Sequence, residues 1–296
     1  MEQTMETTII KKPKGKSNRQ IAVALRQFKR NRLAMAGLVV LIIIILLCSL
    51  ESIITPFDYS VQDISNRFSK ISLQHPCGTD RFGRDLFTRI LKGGQISLLV
   101  ASCSVLLCAV SAAVLGSTAA FFGGVYETVV MRTMDILMGI PSLLLAAAVS
   151  TALGKGIYNS VIAIALAQLA NMTRIMYSSA LTIRDKEYLE AARATGASNL
   201  RLVFKYIVPD CLAPLIVQIS LRLGICITMI SSLSFIGLGV QPPTPEWGSI
   251  LNEGRQFIRQ YWPVVTFPGI AIALTLISVN LVGDGVRDAL DPRMKH

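Results

Sequence analysis

Few side chains in this 296-residue sequence are equipped for bond-making chemistry, and their spacing excludes most reactions. The two histidines, His75 and His296, lie far apart, and the six cysteines at 48, 77, 103, 108, 211 and 226 include no C-x-x-C pair. A metal centre needs clustered His, Cys or carboxylate ligands, so none is expected. No G-x-x-x-x-G-K-S/T loop is present to cradle phosphate; the chain should therefore bind no cofactor and hydrolyse no ATP itself. Neither H-E-x-x-H nor G-x-S-x-G occurs. The densest run of acids and bases is Asp80-Arg81-Phe82-Gly83-Arg84-Asp85, whose charges suit a solvated loop as well as a site. Arg222 stands inside an apolar run, where facing lipid would cost from about 3 to over 10 kcal/mol. It should face a bundle interior or a wet cavity, or snorkel to an interface. Conduction and coupling remain as roles; catalysis does not.

The elements that would carry such roles are membrane helices. The chain is 52% hydrophobic and 16% charged, with a mean hydropathy of +0.54, against about 25% charged residues in soluble domains. Net charge is +11, and nine of the 29 Lys and Arg precede Ala34. Because an apolar run follows at once, this cluster points to anionic lipid rather than nucleic acid, at about 1 kcal/mol per basic residue. Residues 1–33 form a basic tail, with 20–33 able to lie as an amphipathic helix on the membrane. The first span occupies 34–54; its uncharged part, 33–50, nearly crosses a hydrocarbon core about 30 Å thick. A cleaved signal peptide is the competing reading, but the basic region is too long and no small-x-small site follows.

A polar loop, 55–95, precedes five further spans within 96–283, and a tail closes the chain at 284–296. The uncharged stretch 93–126 is too long for one straight span and should leave the membrane at Phe121-Phe122-Gly123-Gly124. The third span, 131–152, contains Asp135 and bends at Pro141. The fourth, 157–183, carries Gln168 and Asn171 one helical turn apart. The fifth is 212–235 and holds Arg222; the sixth is 260–283. Six spans put both termini on one side. With that side cytoplasmic, roughly 19 basic residues face inward and roughly nine outward, in line with the positive-inside rule. Trp247 and Trp262 suit a membrane interface. The cysteines read as buried thiols.

One long polar segment interrupts the apolar second half: 185–209, DKEYLEAARATGASNLRLVFKYIVP. Leu200, Val203, Phe204 and Ile207 recur at helical spacing, and Tyr188, Ala191 and Ala192 form a weaker stripe. Gly196 should end the first helix in a left-handed residue. Ser198 can cap the second, and Pro209 stops it or opens the next segment. Glu190-Ala191-Ala192, then Gly196, then Pro209, resembles the E-A-A-x-x-x-G signature of ABC importer permeases. Tyr206 and Val208 stand where many importers have Ile and Leu. HPCGTDRFGRD, 75–85, resembles the H-P-x-G-T-D-x-x-G-R-D segment of the dipeptide, oligopeptide and nickel branch, with His75, Gly78, Asp80, Gly83 and Asp85 in place. Gly78, Asp80 and Gly83 suit turns, and Asp85 can begin a helix into the membrane. The stretch 234–248, with Glu246 and Trp247, is similar to an external loop of the same branch, and GDGVRDALDPR to its C-terminal end.

The resemblance implies an all-α membrane protein with the six-helix fold of type I importer permeases and a cytoplasmic coupling helix. It implies a heterodimer with a second homologous permease subunit, two cytoplasmic ATPase subunits that carry ATP and Mg, and an extracytoplasmic substrate-binding protein. Glu190, Ala191, Ala192, Gly196 and Pro209 would belong to the coupling segment. Asp135, Gln168, Asn171 and Arg222 would be the polar side chains of the translocation path. The 75–85 loop would position the second span rather than touch ligand. The cargo would be dipeptides or oligopeptides, with nickel or a metal chelate as the runner-up within the branch. An ion-gradient-driven secondary transporter competes from another class, but only Arg222 offers a mid-membrane charge and no repeat is visible.

Overall fold

The computed structural model describes residues 16–290, which are mostly helical, with no strand among them. An amphipathic helix, α1 (Lys16–Arg30), runs to a one-residue break at Asn31. The Asn31 side chain accepts the backbone N–H groups of Leu33 and Ala34, both at 3.1 Å, and so starts α2 (Arg32–Ser49), the first span. A single turn, α3 (Glu51–Ile54), ends it. The chain then crosses an irregular segment to Asp85, whose carboxylate caps α4 (Leu86–Phe122) through the Thr88 N–H at 2.7 Å.

At 37 residues α4 is one uninterrupted helix. The uncharged stretch was expected to be too long for one straight span; instead it lies in a single continuous helix that begins inside the 55–95 loop. It does end at Phe122-Gly123, where expected, and α5 (Gly124–Met138) starts immediately. The third span differs more. Instead of one bent helix over 131–152, α5 and α6 (Ser142–Leu153) meet at 99°. Pro141 cannot continue the ladder of α5 and disfavours helix in the residue before it, so the bend becomes a break.

The fourth span, α7 (Ile157–Arg184), is the main partner of α4. Small residues let their backbones approach: a Cβ on Gly116 would lie 2.8 Å from the Thr173 carbonyl oxygen and the Tyr177 nitrogen. Such close approach is how helices associate in lipid, where burying apolar surface gives no advantage. Two short helices, α8 (Glu187–Ala194) and α9 (Asn199–Leu202), follow. A π-helical turn (Val203–Ile207) leads into α10 (Val208–Asp210), with Pro209 in its first turn, and on to α11 (Leu212–Phe235), the fifth span. A loop with the short helix α12 (Trp247–Gly254) precedes α13 (Pro263–Leu290). The sixth helix therefore runs seven residues past the expected end at 283, and residues 291–296, with His296 and part of the C-terminal motif, lie outside the described residues. α13 packs against α2, α11 and α1. Among the described residues five helices are long and apolar enough to cross a membrane, or six when the bent pair counts as one span.

Candidate functional site

The residues singled out in the sequence gather at three levels along α4. At its N-terminal end lies a brace built from the 75–85 loop and α12. Gly78 and Gly83 adopt φ of +76° and +74°, a region open to glycine but costly for other residues. Asp80 folds back on the same loop, accepting the N–H groups of Phe82 at 2.8 Å and Arg84 at 3.1 Å. Its other oxygen takes Arg84 Nε at 2.7 Å and Arg89 Nη1 at 2.6 Å. Both guanidiniums continue to Glu253 on α12, at 2.5 Å from Arg84 Nη2 and 3.2 Å from Arg89 Nη2. Arg89 is 1% exposed. Two acids and two bases thus neutralise one another away from water, which is what burial of such charges requires.

His75 Nδ1 lies 2.8 Å from the Asp85 carboxylate whose other oxygen caps α4. Burial, with the Asp85 charge adding to it, pushes the neighbouring Cys77 thiol up to about 11. Every motif residue of this loop is thus used internally. Glu246 is likewise fully buried. Its carboxylate accepts Ser97 Oγ of α4 at 2.8 Å and the Ser249 N–H at 3.1 Å, while Ser249 Oγ accepts the Glu246 N–H at 3.0 Å, a reciprocal cap for α12. Burial raises its pKa, and these hydrogen bonds partly offset that. Trp247 departs from expectation. It is 1% exposed and its indole donates to the Ile90 carbonyl at 2.9 Å, so it packs inside the brace rather than at a membrane interface. Trp262 is exposed. No sequence signal announced that Glu253 completes the network.

The middle level holds the polar residues of the spans. Arg222 on α11 turns into the bundle and donates to Gln168 Oε1 on α7 at 2.5 Å. Gln168 is buried, and its amide nitrogen lies 3.0 Å from the Met229 sulfur. Asp135 of α5 pairs with Arg174 of α7 and, at 3.7 Å, with Arg132. Asn171 is half-buried on α7 and makes no side-chain hydrogen bond among the described residues. The four polar candidates therefore do not form one cluster: Gln168 and Arg222 meet, and Asp135 is held separately by Arg174. Among the described residues no three His, Cys, Asp or Glu side chains gather into a metal-holding group.

At the C-terminal end of α4 the chain makes an elbow. α8 ends where the Ala197 N–H reaches the Ala192 carbonyl at 3.1 Å and the Gly196 N–H reaches the Arg193 carbonyl at 3.0 Å. This crossed pair requires a left-handed residue between, and Gly196 supplies φ +84°. Ser198 then caps α9 through the Arg201 N–H at 3.4 Å. The predicted greasy face divides. Leu202, Val203 and Ile207 are buried, whereas Leu200 and Phe204 are 61% and 47% exposed. Glu190, Ala191 and Pro209 are exposed and Ala192 is half-buried. Leu189, Leu202, Val203 and Ile207 anchor the elbow by burial, and its polar ties are few: the Tyr188 hydroxyl donates to Asp210 at 2.5 Å, Arg184 donates to the Ala120 carbonyl of α4 at 2.9 Å, and Arg193 lies 5.6 Å above the Phe121 ring. Burial first, then the Asp210 hydrogen bond and charge, raise the Tyr188 pKa, so the hydroxyl stays a donor.

Comparison with known proteins adds the following. Residues 112–296 match the family described as binding-protein-dependent transport system inner membrane component. Residues 20–76 match the N-terminal TM domain of oligopeptide transport permease C. The dipeptide transport system permease protein DppC of Alkalihalophilus pseudofirmus is 40% identical over 272 residues, covering 92% of this chain and 90% of that protein. The glutathione transport system permease protein GsiD of Escherichia coli is 39% identical over 271 residues, covering 91% and 89%. A chain from the MetNI methionine ABC transporter, solved in inward-facing conformations, aligns with a TM-score of 0.53 at 18% identity, covering 68% of this chain and 96% of that one. At that identity it speaks for the fold alone.

Proposed function

The chain belongs to the family of binding-protein-dependent transport system inner membrane components, as a multi-pass ABC importer permease, and from this we propose that its cargo is dipeptides or oligopeptides. The relatives' names support that cargo, as does the brace motif, shared with peptide importers. We place both termini in the cytoplasm, the elbow on the cytoplasmic face and the brace outside. The chain pairs with a second homologous permease subunit, and the path runs between them, with Asp135, Gln168, Asn171 and Arg222 as its polar side chains. Two ATPase subunits carry ATP and Mg, and an extracytoplasmic binding protein delivers the peptide.

The observation that carries the coupling role is the elbow's exposed surface. Leu200 and Phe204 beyond the Gly196 turn leave apolar area exposed, with Ala191 and the charge of Glu190 exposed on the helix before it, where a partner can cover them. Closure of the ATPases displaces the docked elbow. Because contacts differ between the two facings of the bundle, that displacement shifts the balance between them. Capture of the tagged chain from native membranes in mild detergent, with partners identified by mass spectrometry, should return a second permease, two ATPases and a binding protein. Gly196→Asp should stop uptake at normal membrane abundance. A chain found alone and still active in uptake would overturn the reading.

A further inference from the structure

Three cations beside the brace take no part in its ion network. Arg81, Lys155 and Arg255 line a hollow of about 340 Å³ formed by the 75–85 loop, the α6–α7 turn and the segment around α12. The only carboxylate in its wall is Glu253, whose oxygens already receive Arg84 and Arg89. Among the described residues none of the three cations has an acidic partner within 4.0 Å. Two are held in place by their flat faces: Arg81 lies 4.4 Å above the Phe82 ring and Arg255 5.6 Å above Phe235. Stacking on an aromatic face leaves the in-plane N–H donors free for another group. Arg81 Nε is moreover buried with no hydrogen-bond partner among the described residues.

Three like charges around one polar cavity repel one another unless an anion sits among them. A guanidinium fork matches a carboxylate in shape as well as charge. Beside this hollow lies a second, of about 280 Å³ and mostly apolar, lined by Leu143, Phe235, Ile236, Leu251 and Ile272. Phe235 belongs to its wall and also carries Arg255. A polar cationic chamber next to an apolar one fits a small molecule that ends in a carboxylate and bears an apolar side chain.

We propose that this pair of hollows is a carboxylate-binding subsite of the translocation route, which receives the C-terminal carboxylate of an incoming peptide between Arg81, Lys155 and Arg255. The inference rests on the peptide reading above. Its occupant is a free peptide rather than an acidic side chain of the binding protein, because the apolar chamber beside the cations accommodates a cargo side chain.

The test uses the whole transporter in proteoliposomes with its binding protein at saturation and alanylphenylalanine as probe. Lys155 and Arg255 are exposed, so Lys155→Gln with Arg255→Gln should leave the fold intact. Since a solvent-exposed charge pair is worth up to about fivefold in an equilibrium constant, the double variant should lose about tenfold in initial uptake. The binding-protein concentration for half-maximal ATPase stimulation should not move. The charge-conserving pair Lys155→Arg with Arg255→Lys should recover most of the uptake. Unchanged uptake in the Gln variant overturns the subsite. A half-maximal concentration that rises as uptake falls overturns it too, in favour of an acidic group on the binding protein. Failure of the wild-type transporter to take up any di- or tripeptide, with its ATPase still stimulated, would bring down the peptide reading and this inference together.

Discussion

The brace and the elbow are both built on glycines of positive φ, yet the surroundings of those glycines are opposite. At the brace, a Cβ on Gly83 would sit 1.6 Å from the Asp63 carbonyl oxygen, and one on Gly78 1.8 Å from the Tyr261 hydroxyl. At the elbow, a Cβ on Gly196 would meet nothing within 4 Å. One glycine is there because backbone presses on it; the other only sets a chain direction. The charges follow the same division. Asp80, Arg84 and Arg89 are buried and mutually paired, whereas Glu190 and Arg193 stand in water. Local opening is easiest where few apolar contacts and many exposed backbone groups meet. The brace is thus locked by buried ion pairs and close backbone contacts, whereas the elbow presents exposed charges and a turn that presses on nothing.

Substitutions should break that contrast in graded steps. Gly83→Ala should have the largest effect, a loss on the order of 4 kcal/mol or more, because the clash is with backbone that cannot rotate away. Membrane abundance and the thermal unfolding temperature in detergent would both drop; a normal Tm would mean the loop yields freely to the added methyl group. Asp80→Ala comes next. It leaves the buried Arg84 and Arg89 to share Glu253 alone, at about 3–5 kcal/mol, and the same two measurements report it. Tyr188→Phe removes one hydrogen bond at a partly exposed site, worth about 1 kcal/mol. Abundance should stay normal while peptide moved per ATP hydrolysed falls.

The smallest effect is one of rate. Burial holds the thiols of Cys77 in the brace and Cys211 at the foot of the elbow up to about 11, aided by Asp85 and Asp210 respectively. Both should react slowly with a maleimide at pH 7.5, since the thiolate is the reactive form. During ATP turnover Cys211 should label a few-fold faster and Cys77 should not change. Equal acceleration of both would erase the distinction between the two ends.

Much of this was legible because local chemistry dictates it. The apolar runs gave α7 and α11 nearly to the residue, although Arg174 and Arg222 interrupt them. Gly196 and Ser198 were readable because the crossed hydrogen bonds of α8 demand a left-handed residue and an orphan N–H demands a cap. Long-range pairing was not readable. Nothing in the sequence joins Arg84 to Glu253 across 169 positions, or tells that Trp247 folds inward against Ile90. The 99° between α5 and α6 was hidden as well: Pro141 fixes where a helix fails, and packing fixes the angle. Leu200 and Val203 looked alike in the stripe, yet one is exposed and the other buried, beside a π-helical turn at Val203–Ile207 that departs from the regular helical period.

The length of α4 has a mechanical consequence. Thirty-seven residues at about 1.5 Å each make a spar of roughly 55 Å, nearly twice the apolar thickness it crosses. One tip is socketed by Asp85 and Arg89, and the other carries Ala120 and Phe121, which Arg184 and Arg193 grip. Pivoted at the socketed tip, a rotation of about 5° would carry the far tip sideways by about 5 Å, one helical turn. The two faces of the membrane would then answer to each other by leverage, with no chain of relayed contacts between them.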